Sequence, residues 1–279
     1  NIVELIDAQE ARRLEPRLSE EIYGAALQQG NGQVDGYRLT LAYAGAAEKH
    51  GAQVLSRKVE GLERSGSRVT GVKTASGTIA CDKVILAMGA WLGEASEWLD
   101  FPVPVEPIKG QLLHLRPEGD EHWPFFIHSY DVTPGAALSV YVHKRLDGVV
   151  SCGSTTESAG FDTTPTAEGR MQLLQRAVRV VPCLAAAQLV RELAGPRSTP
   201  PDGTTVVGPI PNWEGVYLAV SSVGIMCSAL LGRILGDLIC QREPLVPIEP
   251  FLPYHMAEPV GGTNGRKGWM HGATVEEST

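Results

Sequence analysis

The stretch 81–91, CDKVILAMGAW, limits the fold of this chain more than any other. Its centre, VILAM, is apolar at every position. A strand with one wet face alternates, whereas a strand covered on both faces reads as an unbroken apolar run. The run stops at Gly89, where a chain can turn sharply. A central parallel strand is expected here. Parallel neighbours need crossover connections, usually helical, so the chain is read as α/β with mixed α+β character.

The rest of the sequence supplies the helices and antiparallel strands around it. Residues 7–18 read as a short helix opened by Asp7 and stopped near Pro16, and 21–29 as a strand. GNGQVDG (30–36) is a turn, with Asp35 opposing the dipole of the helix that follows. That helix carries Leu39, Ala42, Tyr43 and Ala46 on one face and stops at Gly51. AQVLSRKVEGLERSGSRVTGVKTASGTIA reads as three short strands turning at SGS and ASG. Residues 102–116 form a strand, and SVYVHKRLDGVVSCGST (139–155) a hairpin turning at LDG. AEGRMQLLQRAVRVV is an amphipathic helix ended by Pro182. GVYLAVSS is a buried strand. Residues 224–241 form a helix with Ile225, Leu230, Ile234, Leu238 and Ile239 on its apolar face. Past Pro253 the chain reads as a disordered polar tail.

Composition narrows the function. The net charge of −8, from 24 basic and 32 acidic residues, argues against nucleic acid or an anionic membrane as partner. No apolar run reaches the length of a membrane span, and the charged start shows no signal peptide. Cys81, Cys152, Cys183, Cys227 and Cys240 are widely spaced, with no CxxC. They are read as reduced core thiols of a cytoplasmic protein. No HxxxH or HxH pair suggests a metal, and no residue set marks a catalytic dyad or triad.

LAGPRSTPPDGTTVVGP (193–209) holds one cation, Arg197, between an apolar run and two prolines. Such framing suits a guanidinium that grips a carboxylate through two parallel hydrogen bonds. A turn with an exposed arginine reads the same way. The GxG of GNGQVDG lacks the preceding buried strand that a dinucleotide cradle needs, so a plain turn is the better reading.

Three stretches, in order, resemble the FAD-dependent D-amino acid oxidase family: KVILAMGAWLGE, PVEPIKGQLLHL, and AGPRSTPPDGTTVVGP followed by GVYLAV and GIMCSALLGRILGDLI. GVVSCGSTTESAGFDTTPT is similar to the glycine oxidase branch of that family, which is related to the sarcosine oxidases. The resemblance runs from about residue 7 to residue 250. It implies FAD on a Rossmann-like domain and oxidation of a C–N bond in a small amino acid or amine, with hydride transfer to flavin N5. It places Arg197 at the substrate carboxylate and Tyr141 beside the substrate. It places Gly89, Ala90 and Trp91 at a flavin turn, and Gly224, Ile225 and Met226 at a helix start near the flavin's pyrimidine edge. On the residues alone, Tyr141 is more often a packed strand aromatic and 224–232 more often a core helix than a cofactor wall.

The resemblance divides the chain into an FAD-binding layer (1–90 and 195–250), an antiparallel substrate-binding domain (91–194) and a tail (254–279). The GxGxxG βαβ unit of the family has no counterpart, and the chain starts without Met. An N-terminally truncated flavoprotein is expected, completed by further sequence from its gene or by a partner chain, with a homo-oligomer as the other association allowed. Two other functions stay open: a non-catalytic subunit, and a dehydrogenase using an acceptor other than O₂. AVSSVG before the helix, HKR at 143–145, and Pro196 and Ser198 around Arg197 depart from the family pattern.

Overall fold

The computed structural model describes residues 3–119, 123–130 and 139–257. In chain order the elements are β1 (Val3–Asp7), α1 (Ala8–Leu14), β2 (Gly24–Gln28), α2 (Gly36–Lys49), β3 (Val59–Ser65), β4 (Arg68–Thr74), β5 (Gly77–Ala80) and β6 (Val84–Leu86). A 3₁₀ helix (Gly89–Ala95) runs into α3 (Ser96–Leu99). Then come β7 (Glu106–Arg116), β8 (Ile127–Tyr130), β9 (Ser139–Lys144), β10 (Val150–Gly153), α4 (Ala167–Val180), β11 (Gln188–Thr199), β12 (Val206–Pro209), β13 (Val216–Val220) and α5 (Gly224–Ile239). The described residues form two compact units, one from 3–32 and 108–196, the other from 33–107 and 197–257. Compactness thus groups 3–32 with the second half of the chain, whereas the sequence reading grouped 1–90 by cofactor role. The packing gives the reason: Leu18 lies against the α4 core, and Ser19 N–H donates to Val180 O at 2.8 Å.

In the first unit the sheet order is β11-β7-β10-β9-β8, with antiparallel pairing of β10 to β7 and β9, and of β9 to β8. The β9–β10 hairpin turns at the expected LDG, where Gly148 has φ +80° and Asp147 Oδ1 accepts from Val149 N–H. Alternation puts Val140, Val142, Leu113 and Leu115 on one face. Leu173, Ala177 and Val180 of α4 cover that face. Each Val or Leu side chain buried in this way stabilises by roughly 1.5–3 kcal/mol. Thr166 caps α4 by accepting from Gly169 N–H at 3.1 Å, and Pro182 follows its end. Trp123 belongs to the same core, with the Arg17 guanidinium 4.5 Å from its ring centre.

In the second unit β13 pairs antiparallel with β12 and parallel with β6, and β3-β4-β5 form the expected meander. The 3₁₀ helix and α3 bring Leu92, Ala95 and Leu99 onto a core that includes Leu218 and Trp213. Trp213 Nε1 donates to Leu99 O at 2.7 Å, and Arg64 lies over its ring.

Several expectations change. β6 is parallel, but it ends its sheet among the described residues, and Ile85 is 43% exposed rather than central. α2 forms as read, capped by Asp35 and followed by Gly51 at φ +91°, yet it buries no residue. Its Leu39, Ala42, Tyr43 and Ala46 face therefore meets no core. α5 buries Ile234 and Leu235 but leaves Ile225 and Leu230 exposed. Arg197 stands within strand β11, not in a turn: strand pairing, not proline, sets its backbone. Of the cysteines only Cys152 is buried, while Cys183 and Cys240 are exposed. A short 3₁₀ helix continues past Pro253, with Met256 buried in the core, and 258–279 lie outside the described residues. No helix among the described residues is long and apolar enough to cross a membrane.

Candidate functional site

Six of the residues selected from sequence lie in the second unit, at two helix starts. Gly89 follows β6 at φ +57°, a conformation that side chains disfavour, and a Cβ there would meet nothing within 4 Å. Buried Ala90, Leu92 and Ala95 anchor this turn. Trp91, its N–H donating to Met88 O, is left half exposed. Gly224, Ile225 and Met226 form the first turn of α5, whose start has no side-chain cap. Gly224 borders open space, and Met226 is 78% exposed. The two helix starts α2 and α5 meet: a Cβ on Gly36 would lie 3.2 Å from Ile225 Cδ1. Asp35 satisfies the α2 start by accepting from Arg38 N–H at 3.0 Å. The first N–H groups of α5 have no such side chain, so their partial positive charge suits an electron-rich atom.

Arg197 is fastened to this region through its neighbour. Ser198 Oγ donates to Ser221 O at 3.0 Å, three residues before Gly224. Ser221 Oγ bonds Thr205 Oγ1 at 2.8 Å and accepts from Val223 N–H. A clasp of Ser198, Thr205 and Ser221 thus ties the end of β11 to the loop that feeds α5. Sequence reasoning missed this clasp. It met Ser198 and AVSSVG only as departures from a pattern, although hydroxyls at the ends of three strands were visible.

Tyr141 belongs to the first unit, on the face of the sheet that α4 does not cover. Its cross-strand partners are Gly153 and His128. A Cβ on Gly153 would fall 2.5 Å from Tyr141 Oη, so the ring lies flat across β10 and only glycine fits beneath it. Phe126 and His143 stack against Tyr141, at 5.8 and 5.7 Å between ring centres. His128 Nδ1 bonds Tyr130 Oη at 3.0 Å. Burial, aided by Arg145 and His114, pushes His143 down to about 4, and burial lowers His128 and His114 as well. These imidazoles are neutral at neutral pH. Cys152, on the covered face, is pushed up by burial to about 12 and is no thiolate.

The KGQ motif has a structural use. Lys109 is buried and gives its ammonium to Asp162 Oδ2 and Thr164 O, each at 2.6 Å. Gln111 donates to Glu157 Oε1 and Thr166 Oγ1, and its Oε1 accepts from Thr166 N–H. These bonds fix the 154–166 loop, and with it the start of α4, to β7. A cleft of about 320 Å³ beside Lys58, Glu60, Glu94, Glu97 and Trp98 contains none of the residues selected from sequence.

The chain matches the family model described as FAD dependent oxidoreductase (DAO) over residues 1–238. It is 37% identical to glycine oxidase of Pseudomonas aeruginosa over 198 residues, 70% of this chain and 52% of that protein. It is 35% identical over 255 residues to hydrogen cyanide synthase subunit HcnC of the same organism, covering 90% of this chain and 59% of that one. Among solved structures, L-proline dehydrogenase from P. horikoshii superposes with a TM-score of 0.83 at 25% identity, over 91% of this chain and 68% of that chain. The chain therefore spans between about half and three fifths of the length of these curated relatives. A match over most of the sequence, in chain order, on a structure that shares the fold, places this chain in the FAD dependent oxidoreductase (DAO) family.

Proposed function

We propose that this chain is the larger part of an FAD-dependent oxidoreductase that oxidises the C–N bond of a small amino acid or amine, as a glycine oxidase does. One observation carries the reading: the Ser198–Ser221 clasp ties the strand end bearing Arg197 to the uncapped start of α5. A carboxylate grip and a cofactor contact are thereby built on one braced backbone. When bound, FAD supplies the two-electron acceptor, taking a substrate hydrogen with its electron pair at N5. The residues present fit part of that group. Gly89 and Gly224 leave open space, and the first N–H groups of α5 suit an electron-rich edge of the ring.

Arg197 takes the substrate carboxylate and so fixes which hydrogen is presented. Tyr141 contributes from the open sheet face. No acid–base dyad is required of the chain, because a neutral amine gives up hydrogen and electrons together. The remaining cofactor contacts come from sequence that the longer relatives carry. The exposed α2 face and the edge of β6 that is unpaired among the described residues are where such a segment would find apolar partners.

The test is the visible spectrum of the full-length protein with and without added FAD. A yellow protein that turns over glycine, sarcosine or a D-amino acid is expected; one that stays colourless overturns the reading. In the active protein Arg197→Ala should raise KM about thirtyfold with FAD retained, from loss of charge-assisted bonds worth roughly 2 kcal/mol. An unchanged KM removes Arg197 from the role.

Similarity to an HcnC subunit and to a dehydrogenase favours a second reading of the acceptor: electrons pass to a partner or quinone rather than to O₂. Oxygen uptake measured against dye reduction separates the two.

A further inference from the structure

We infer that Ser198 and Ser221 are separable positioning residues. The Ser198 hydroxyl aims Arg197 at the substrate carboxylate, and the Ser221 hydroxyl sets the start of α5 against the cofactor. This rests on the oxidase reading of Arg197 and α5, and adds to it the residues that hold each contact. All the atoms involved lie in the second unit.

The two arms of the clasp use different atoms of Ser221. Its carbonyl oxygen accepts from Ser198 Oγ at 3.0 Å. Its hydroxyl accepts from Val223 N–H at 3.2 Å and bonds Thr205 Oγ1 at 2.8 Å. A side-chain change at 221 thus cuts the second arm and keeps the first, whereas one at 198 does the reverse.

Each arm acts on its contact through one or two residues. Arg197 and Ser198 are neighbours near the end of β11. Neighbouring side chains of a strand project to opposite faces. Fastening Ser198 Oγ to Ser221 fixes the roll of that strand end, and the roll decides where the Arg197 guanidinium projects. A bidentate grip depends on that direction. Val223 is the N-cap residue of α5, at φ −116° and ψ 37°, and makes no side-chain cap bond. The bond from its N–H to a hydroxyl two residues earlier closes a small turn that orders this backbone. The free N–H groups of the first turn of α5 point where that backbone sends them.

The hydroxyl pair has a direction. Ser221 is 6% exposed, and Thr205 is only partly buried. The two hydroxyls carry two hydrogens, and the bond between them uses one. With Thr205 as donor, the Ser221 hydrogen would be buried without an acceptor among the described residues, at a cost in stability. Ser221 therefore donates to Thr205, and Thr205 gives its own hydrogen to water. Removing the Ser221 hydroxyl strands the Val223 N–H, so the loss falls on the α5 start.

The test uses the full-length protein and two probes. FAD binding is read by quenching of flavin fluorescence. Acetate binding is read from the arginine Nε NMR signal that Arg197→Ala removes. Ser198→Ala should weaken acetate about fivefold, the worth of one hydrogen bond, and leave FAD within about twofold. Ser221→Ala should weaken FAD about fivefold and leave acetate within about twofold. Ser198→Thr keeps a hydroxyl and should bind acetate as the wild type does. Affinities that fall together in either alanine variant, or that hold in both while melting temperature drops, overturn the inference. So does a Ser198→Thr protein as weak as Ser198→Ala. A wild type that binds no FAD overturns the oxidase reading together with the role of Ser221. One that binds both probes, with variants that do not separate them, overturns the positioning roles alone.

Discussion

α2 and α4 are both helices of 14 residues, each opened by a side-chain cap, yet only one has a core beneath it. α4 buries Gly169, Leu173, Ala177 and Val180 against a five-stranded sheet. α2 buries nothing, although it carries Leu39, Leu41 and Tyr43. A helix of this length is marginal in water unless a packed face supports it. The difference therefore teaches where the described chain is self-sufficient and where it expects a neighbour. The sheets repeat the lesson. β7, β9 and β10 are flanked on both edges, whereas β6, apolar throughout, is paired on one among the described residues.

The largest test of this contrast is truncation in each helix. Leu173→Ala should cost about 2–5 kcal/mol in chemical denaturation, the price of a core cavity. Leu41→Ala, at a residue 54% exposed, should stay within about 0.5 kcal/mol. Equal losses would break the comparison by showing that α2 already has a partner. The caps give a smaller effect. Asp35→Ala removes one exposed cap worth about 1 kcal/mol. Thr166→Ala should cost nearer 2 kcal/mol, because the same hydroxyl also accepts from buried Gln111. Similar values for the two would mean that the Gln111 bond contributes nothing.

The smallest effect is a response to acid. The hydrogen bond from Lys109, helped by Thr164 N–H, holds Asp162 down at about 2, against an ordinary 3.8. A depressed carboxylate stabilises above its unfolded value and loses that contribution as pH falls through the folded one. Amide exchange in the 154–166 loop and the first turn of α4 should quicken between about pH 4 and pH 2, approaching that of α2. In Lys109→Met that acid step should vanish.

Much of this was legible in the sequence, and the failures share a cause. Local signals located Asp35 at a helix start, the end of α4 at Pro182, the LDG turn, the three-strand meander and the parallel pairing of β6, because caps, prolines, glycines and apolar periodicity act over a few residues. Burial was misjudged at Leu39, Tyr43, Ile85 and Ile225, since periodicity says which face is apolar and not whether anything covers it. The clasp at Ser198 and Ser221 depends on strands separated in the chain, and a single sequence gives no register for them. The stretch around Arg197 was singled out for its prolines, but strand β11 holds it.

The tryptophans have a spectroscopic consequence. Among the described residues Trp123, under the Arg17 guanidinium, is the sole indole of its unit; Trp91, Trp98 and Trp213 fall in the other. With every tryptophan but Trp123 changed to phenylalanine, intrinsic emission would come from that half of the molecule alone. The melting of that half could then be followed by its own optical signal within the intact chain.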